Sequence, residues 1–262
     1  MLLEDKVVIV SGIGPGLGGE LAMEAALQGA KLVIAARTPE KLDGSEADIR
    51  AAGLNNPILK VPTDIADEQQ CKNLVEKTLA EYGRIDALIN SAFNPGTFEP
   101  IEQANLDGWR AAMEVNLFGT MNLTLECVPT MKDQGGASIV MINTMVTRQP
   151  MATQAGYAAS KGALASATAH LALELGPHNI RVNSTFMGWM WGPPVEYYMK
   201  MMKDSHPDGA AGMKAEVEKG IPLRRIPEDG DCAKVAIFLA SDYSNAMTGA
   251  QLDVNGGEHM PH

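Results

Sequence analysis

KVVIVSGIGPGLG, residues 6–18, sets a nearly continuous apolar run against a glycine-rich turn. A strand with one wet face would alternate. This run fits a parallel strand covered on both sides. A helical pattern follows at 16–29. In that context Gly12 permits the tight turn, Gly16 lets backbone approach a pyrophosphate, and Gly18 lets the helix pack on the strand. The helix start offers free N–H groups to negative charge. The spacing Gly-x-x-x-Gly-x-Gly differs from the usual Gly-x-Gly-x-x-Gly, with Gly14 as a further glycine inside it.

Outward from this unit the pattern repeats. Apolar runs at 31–37, 57–63, 85–90, 137–143, 180–186 and 250–256 read as strands. Helical stretches at 40–52, 66–82, 105–131, 154–175 and 228–240 separate them. Strand–helix alternation predicts an α/β chain built as a doubly wound parallel sheet with right-handed crossovers. No repeat or Pro/Gly linker divides residues 1–262, so one domain is expected. The exception is 187–227, rich in Met and aromatics and too long for a simple crossover. It is read as a substrate-covering flap, with a packed insertion as the alternative.

The formal charge of −11 disfavours nucleic acid and anionic membrane surfaces as partners. No apolar run approaches the ~20 residues that span a bilayer. The start MLLEDKVVIVSG has no basic leader and reads as a strand. Cys71, Cys127 and Cys232 have no metal or disulfide spacing, which fits reduced thiols and a cytoplasmic location. The five histidines are scattered, and the tail EHMPH (258–262) reads as a mobile terminus; no metal site is expected. Gly-x-Ser-x-Gly does not occur, which leaves a serine hydrolase without support.

The second strand ends IAARTPEKL. A dinucleotide site would meet the adenosine ribose there. No acid stands at the strand end, and Arg37 follows, with Thr38 as an added hydroxyl. That favours NADP(H) over NAD(H), which stays possible. Farther along, YAASK puts Tyr157 and Lys161 four apart, on one helix face. A cation beside a phenol is expected to lower its pKa toward the range of a general acid/base.

These motifs together resemble the short-chain dehydrogenases/reductases in their compact single-domain form, from Lys6 to Gly257. Residues 11–18 match that family's Thr-Gly-x-x-x-Gly-x-Gly with Ser11 in place of Thr, and Asp64 matches the acid that contacts adenine. NSAF (90–93) stands where the family has Asn-Asn-Ala-Gly; Asn90 and Ala92 match, Ser91 and Phe93 depart. Asn116 in EVNLFG matches the active-site asparagine, and YAASK the Tyr-x-x-x-Lys signature. The family's serine lies thirteen residues before the tyrosine; here that residue is Thr144, with the same donor and acceptor inventory. Asn143 or Thr147 are alternatives. Met187-Gly188 replaces the usual Pro-Gly.

The resemblance implies a Rossmann-type seven-stranded sheet and hydride transfer between nicotinamide and a ketone or secondary alcohol. It implies Tyr157 as proton donor or acceptor, Lys161 as its activator, Thr144 as orienter of the substrate oxygen, and Asn116 as holder of a relay water. Cofactor contacts are expected from Ser11, Gly12, Gly14, Gly16, Leu17, Gly18, Arg37, Thr38, Asp64, Ile65, Asn90, Ser91, Ala92, Tyr157, Lys161 and Gly188. A homotetramer is implied, often formed through the Tyr157 helix and the last strand. Met187, Trp189, Met190, Trp191, Tyr197 and Tyr198 are expected to surround a hydrophobic small-molecule substrate, steroid-like, cyclic or fatty; packing of the flap or a subunit contact is the competing use of these residues. An enoyl-type C=C reductase is a second reading, disfavoured by the i, i+4 spacing. A catalytically weak dinucleotide-binding regulatory protein is a third, disfavoured by the complete Tyr, Lys and Asn positions.

Overall fold

Fully buried strands must hydrogen-bond on both edges and bury side chains on both faces. The computed structural model, which describes residues 1–260, meets that requirement with one seven-stranded sheet. The last two residues of the EHMPH tail lie outside the described residues. The first half of the chain runs β1 (Val7–Ser11), α1 (Leu17–Leu27), β2 (Lys31–Ala36), α2 (Pro39–Ala51), β3 (Ile58–Pro62), α3 (Glu68–Tyr82) and β4 (Ala87–Asn90). Then follow α4 (Leu106–Met113), a π-helical stretch (Glu114–Gly119), α5 (Thr120–Asp133), β5 (Ala137–Thr144), α6 (Ala155–Leu175) and β6 (Ile180–Met187). The chain ends with α7 (Pro193–Met201), α8 (Gly209–Gly220), α9 (Asp229–Ala240) and β7 (Gln251–Val254).

Every strand pairing is parallel and the order is β3-β2-β1-β4-β5-β6-β7. The strand order reverses at β1, which has β2 on one side and β4 on the other. Ligands of open α/β sheets bind at the carboxyl ends of the strands at such a reversal. Side chains alternate between two cores. Val8, Val10, Leu32 and Ile34 meet α1, α2 and α9. Val7, Ile9, Val33 and Leu88 meet α3, α5 and α6.

Two differences from the sequence reading have physical causes. The helix expected over 105–131 is interrupted by the π-helical stretch around Asn116. There Gly119 passes so close to the loop after β3 that a Cβ would lie 2.9 Å from Ile65 Cγ1. The expected flap contains α7 and α8, which propensity alone did not separate from loop.

The turn after β1 is built on Gly12, at φ +87°, where a Cβ would lie 2.2 Å from the Ala92 backbone nitrogen. That neighbour cannot swing away as a side-chain tip could. Gly12→Ala combines left-handed backbone cost with overpacking, and is expected to destabilise the fold by about 2–4 kcal/mol. Denaturant unfolding checks this; a change below ~0.5 kcal/mol would show that the turn is not held against β4.

Candidate active site

A cleft of about 580 Å³ opens at the carboxyl ends of the strands. Gly12, Gly14, Leu17 and Gly18 line one side, Arg37, Thr38, Asp64 and Ile65 the far end, and Thr144, Tyr157, Lys161, Met187 and Gly188 the centre. Ser91 and Ala92 form part of the floor. A second hollow, of about 410 Å³, is lined by Lys6, Arg84, Asp86, Arg181 and Asp242. Its charges are already paired, Lys6 with Asp242 and Arg84 with Asp86, so it offers structural ion pairs rather than reactive groups.

The central trio is set by β5 and α6. Tyr157 and Lys161 lie in the first turns of α6. Gly156 lets that helix start press on Trp109 of α4; a Cβ there would lie 2.7 Å from the indole. Lys161 is 3% exposed, and its Nζ donates to the Ile142 carbonyl at 2.8 Å. Burial pushes its ammonium down to about 8. Thr144 ends β5, and its hydroxyl accepts from the Val146 N–H. That hydroxyl is also hydrogen-bonded to the Tyr157 phenol.

The phenol itself departs from expectation. A depressed pKa was expected from Lys161; burial instead pushes Tyr157 up to about 12, and only the Thr144 bond pulls the other way. The reason is geometric and dielectric together. The ammonium is spent on a strand carbonyl, and desolvation of the phenolate outweighs what remains. Tyr157 is therefore a proton-bearing group in this structure.

Asn116 likewise does something other than simple water capture. Its Oδ1 accepts from the Asn94 N–H at 2.7 Å, and its Nδ2 donates to the Asn94 carbonyl and the Ser160 hydroxyl, each at 2.8 Å. Ser160 in turn donates to the Tyr157 carbonyl at 2.8 Å. The side chain thus ties the turn after β4 to the catalytic helix. Asn143 donates to the Lys161 carbonyl at 3.1 Å and accepts from the Thr144 N–H at 2.9 Å. Thr147 donates to the Thr144 carbonyl at 2.9 Å. Both alternatives to Thr144 are therefore occupied in holding it.

Several expected contacts lie outside the cleft wall. Ser11 and Asn90 are buried within the sheet ends, and Ser11 Oγ and Asn90 Oδ1 have no hydrogen-bond partner. Gly16, at φ +86°, is covered by α7: a Cβ there would lie 3.0 Å from Pro194 Cδ. Of the expected substrate residues, Met187 and Met190 line the cleft. Trp189 and Trp191 instead pack on Met199, Ile221 and Ile226, making a small core for the flap itself. Tyr198 tilts against Trp189, and Tyr197 is exposed on α7. Large aromatics in such a segment are drawn to its own core.

Lys41 is the residue the sequence reading missed. It lines the cleft beside Arg37, with Nζ 3.9 Å from where a Gly14 Cβ would be. Its spacing of four from Arg37 was the available signal. Neither cation has an ion pair among the described residues. The cleft residues fit a dinucleotide. Gly12 and Gly18 leave no room for a Cβ, a Cβ at Gly14 would touch only the Lys41 side chain, at 3.9 Å, and α1 begins without a side-chain cap on its N–H groups.

A family model described as enoyl-(acyl carrier protein) reductase matches residues 12–259. Levodione reductase of Leifsonia aquatica is 30% identical over 254 residues, covering 97% of this chain and 94% of that protein. The chain belongs to the short-chain dehydrogenase/reductase family. The crystal structure of levodione reductase matches with a TM-score of 0.91 over 98% of both chains. The L-sorbose reductase of Gluconobacter frateurii, complexed with NADPH and L-sorbose, has a TM-score of 0.93 at 25% identity over 100% of both chains. An NAD+-bound xylitol dehydrogenase has 0.90 at 26% identity, over 98% of this chain and 100% of its own. This short-chain dehydrogenase/reductase is an NAD(P)-dependent oxidoreductase. No helix among its described residues is long and apolar enough to cross a membrane.

Lys161 is charged below its folded pKa of about 8 and neutral above it. In the charged form it is a stronger donor to the Ile142 carbonyl, and the proposed chemistry uses that charged form. The kcat/KM for reduction is therefore expected to fall, with a one-proton slope, as pH rises through about 8. A pH–rate profile that stays flat well above that value would remove Lys161 titration from the free enzyme's requirements.

Proposed function

We propose that the protein transfers hydride between a nicotinamide dinucleotide, preferably NADP(H), and a hydrophobic ketone or secondary alcohol. The carrying observation is one cleft that joins Thr144, Tyr157 and Lys161 to the glycine turn. The dinucleotide, when bound, supplies or accepts the hydride. Tyr157 gives its phenolic proton to the nascent alkoxide in reduction, and Thr144 donates to the same oxygen. Lys161 keeps cationic charge beside them. A phenol at about 12 favours the protonated form needed for the reductive direction. Asn116 positions α6 and the turn after β4, and a proton relay through a water on its main chain is part of the proposal. The i, i+4 spacing of Tyr157 and Lys161 favours carbonyl chemistry over C=C reduction.

Arg37 and Lys41 together support the NADP(H) preference, since two unpaired cations suit a 2′-phosphate. NAD(H) is the alternative, and the neighbours include both an NADPH complex and an NAD+ complex. The flap covers the cleft within a single domain spanning residues 1–262, with Met187, Met190, Pro194 and Val195 as its apolar face toward substrate. Exposed Leu106, Phe118, Leu125 and Leu173 on α4, the π-helical stretch, α5 and α6 support a homotetramer formed partly through those helices. Three free buried thiols fit a cytoplasmic setting.

Tyr157→Phe is expected to lower ketone reduction by at least ~10²-fold while NADPH binding stays intact; turnover near wild type would exclude the phenol as proton donor. Arg37→Ala and Lys41→Ala should each raise the NADPH Kd about tenfold and leave the NADH Kd within twofold, a charge-assisted contact contributing ~1.5–3 kcal/mol. Titration of both dinucleotides checks this, and equal weakening for the two would end the 2′-phosphate assignment.

A further inference from the structure

Single exposed apolar side chains are ordinary and carry no message alone. Phe93 differs in where it stands. Its side chain is 58% exposed, yet it lines the same cleft as Thr144, Tyr157 and Lys161. Its ring centroid is 6.3 Å from that of Tyr157 with the planes at 60°, a distance and tilt suited to an aromatic pair. The resemblance drawn from NSAF puts a glycine at this position, so the ring is a departure from that motif.

The ring also hangs from fixed backbone. On one side of it, the Ser91 N–H donates to the Ser11 carbonyl at 3.1 Å, and the Ala92 nitrogen abuts Gly12. On the other side, both the N–H and the carbonyl of Asn94 are bonded to Asn116. The backbone carrying the ring is thus held on both sides, so the ring can move away from a ligand only by changing its rotamer.

We propose that Phe93 is a specificity-determining residue that selects carbonyl compounds carrying a flat apolar ring next to the reacting carbon. One part of the phenyl ring is engaged with Tyr157. Met187, Met190 and Val195 line the same cleft, so a cyclic or aromatic group on the carbonyl would be held by the phenyl ring together with adaptable thioethers. A short aliphatic chain covers less of that surface and gains less. The proposal rests on the reading of Tyr157 as the proton donor for a ketone.

The test compares wild type with Phe93→Ala and Phe93→Leu, using acetophenone and 2-butanone as probes. In Phe93→Ala the ratio of kcat/KM for acetophenone over 2-butanone is expected to fall about tenfold, mostly through KM. Phe93→Leu should recover only part of it, because bulk returns without the ring. Acetophenone binding, measured by calorimetry on protein saturated with NADP+ so that no reduction occurs, should weaken in parallel. An unchanged ratio together with unchanged binding overturns the assignment, as does an absence of acetophenone binding to wild type. Binding that weakens in Phe93→Ala while wild type reduces neither ketone sinks the ketone reading and leaves the Phe93 assignment supported.

Discussion

One buried ammonium organises the catalytic end of this molecule. Lys161 has almost no exposure, and its ammonium donates to the Ile142 carbonyl. Removing a cation from water on such terms is costly, which is why its pKa falls so far. The cost is tolerable only because α6 is held on β5 by bonds that do not involve the charge. Asn143 bonds the Lys161 backbone, and Ser160 and Asn116 bond the helix to the turn after β4. The charge is thus held beneath the cleft by surrounding polar groups, which is where the proposed reaction would use it.

The same network explains why the phenol is protonated rather than poised as an anion. Burial acts on Tyr157 and Lys161 in opposite senses, raising one and lowering the other, so both are drawn toward neutrality. The Thr144 hydroxyl touches the phenol and is itself oriented by Val146 and by the end of β5. A threonine in that place keeps one donor and one acceptor while its methyl stiffens the rotamer. Tyr157 therefore keeps its proton in the cleft, the state that the proposed reductive step would require.

Much of this was legible in the amino acids. Strands buried on both faces leave continuous apolar runs, and the switch at β1 carries its own glycine signature. Tyr157 and Lys161 could be paired because helical spacing is rigid, and Thr144 was reached through the resemblance, which puts a hydroxyl thirteen residues before the tyrosine. What could not be read were places where tertiary contact overrides local pattern. The π-helical stretch at Asn116 follows from the close pass of Gly119 to Ile65, which no local periodicity encodes. The direction of the Tyr157 shift depends on desolvation, a property of the folded environment alone. Ser11 and Asn90 sit in the right strand ends but face the sheet interior, because the alternation of a strand decides that and a motif does not. Lys41 escaped because a lone lysine on a helix is normally a solvated one.

The flap shows the same limit in a more instructive form. Its tryptophans look like substrate contacts in the linear chain. In the fold, the segment uses Trp189 and Trp191 to make a core of its own with Met199, Ile221 and Ile226. That leaves thioethers, Pro194 and Val195 to face the cleft from the flap, while an aromatic ring lines the same cleft from the turn after β4. On the proposed reading, adaptable groups on the covering segment and an aromatic ring on the loop after β4 would divide the work of recognition. A side chain carried by bonded backbone has less entropy to lose on meeting a ligand than a freely moving one. The proposal therefore puts shape selection just past the end of β4, beside Tyr157.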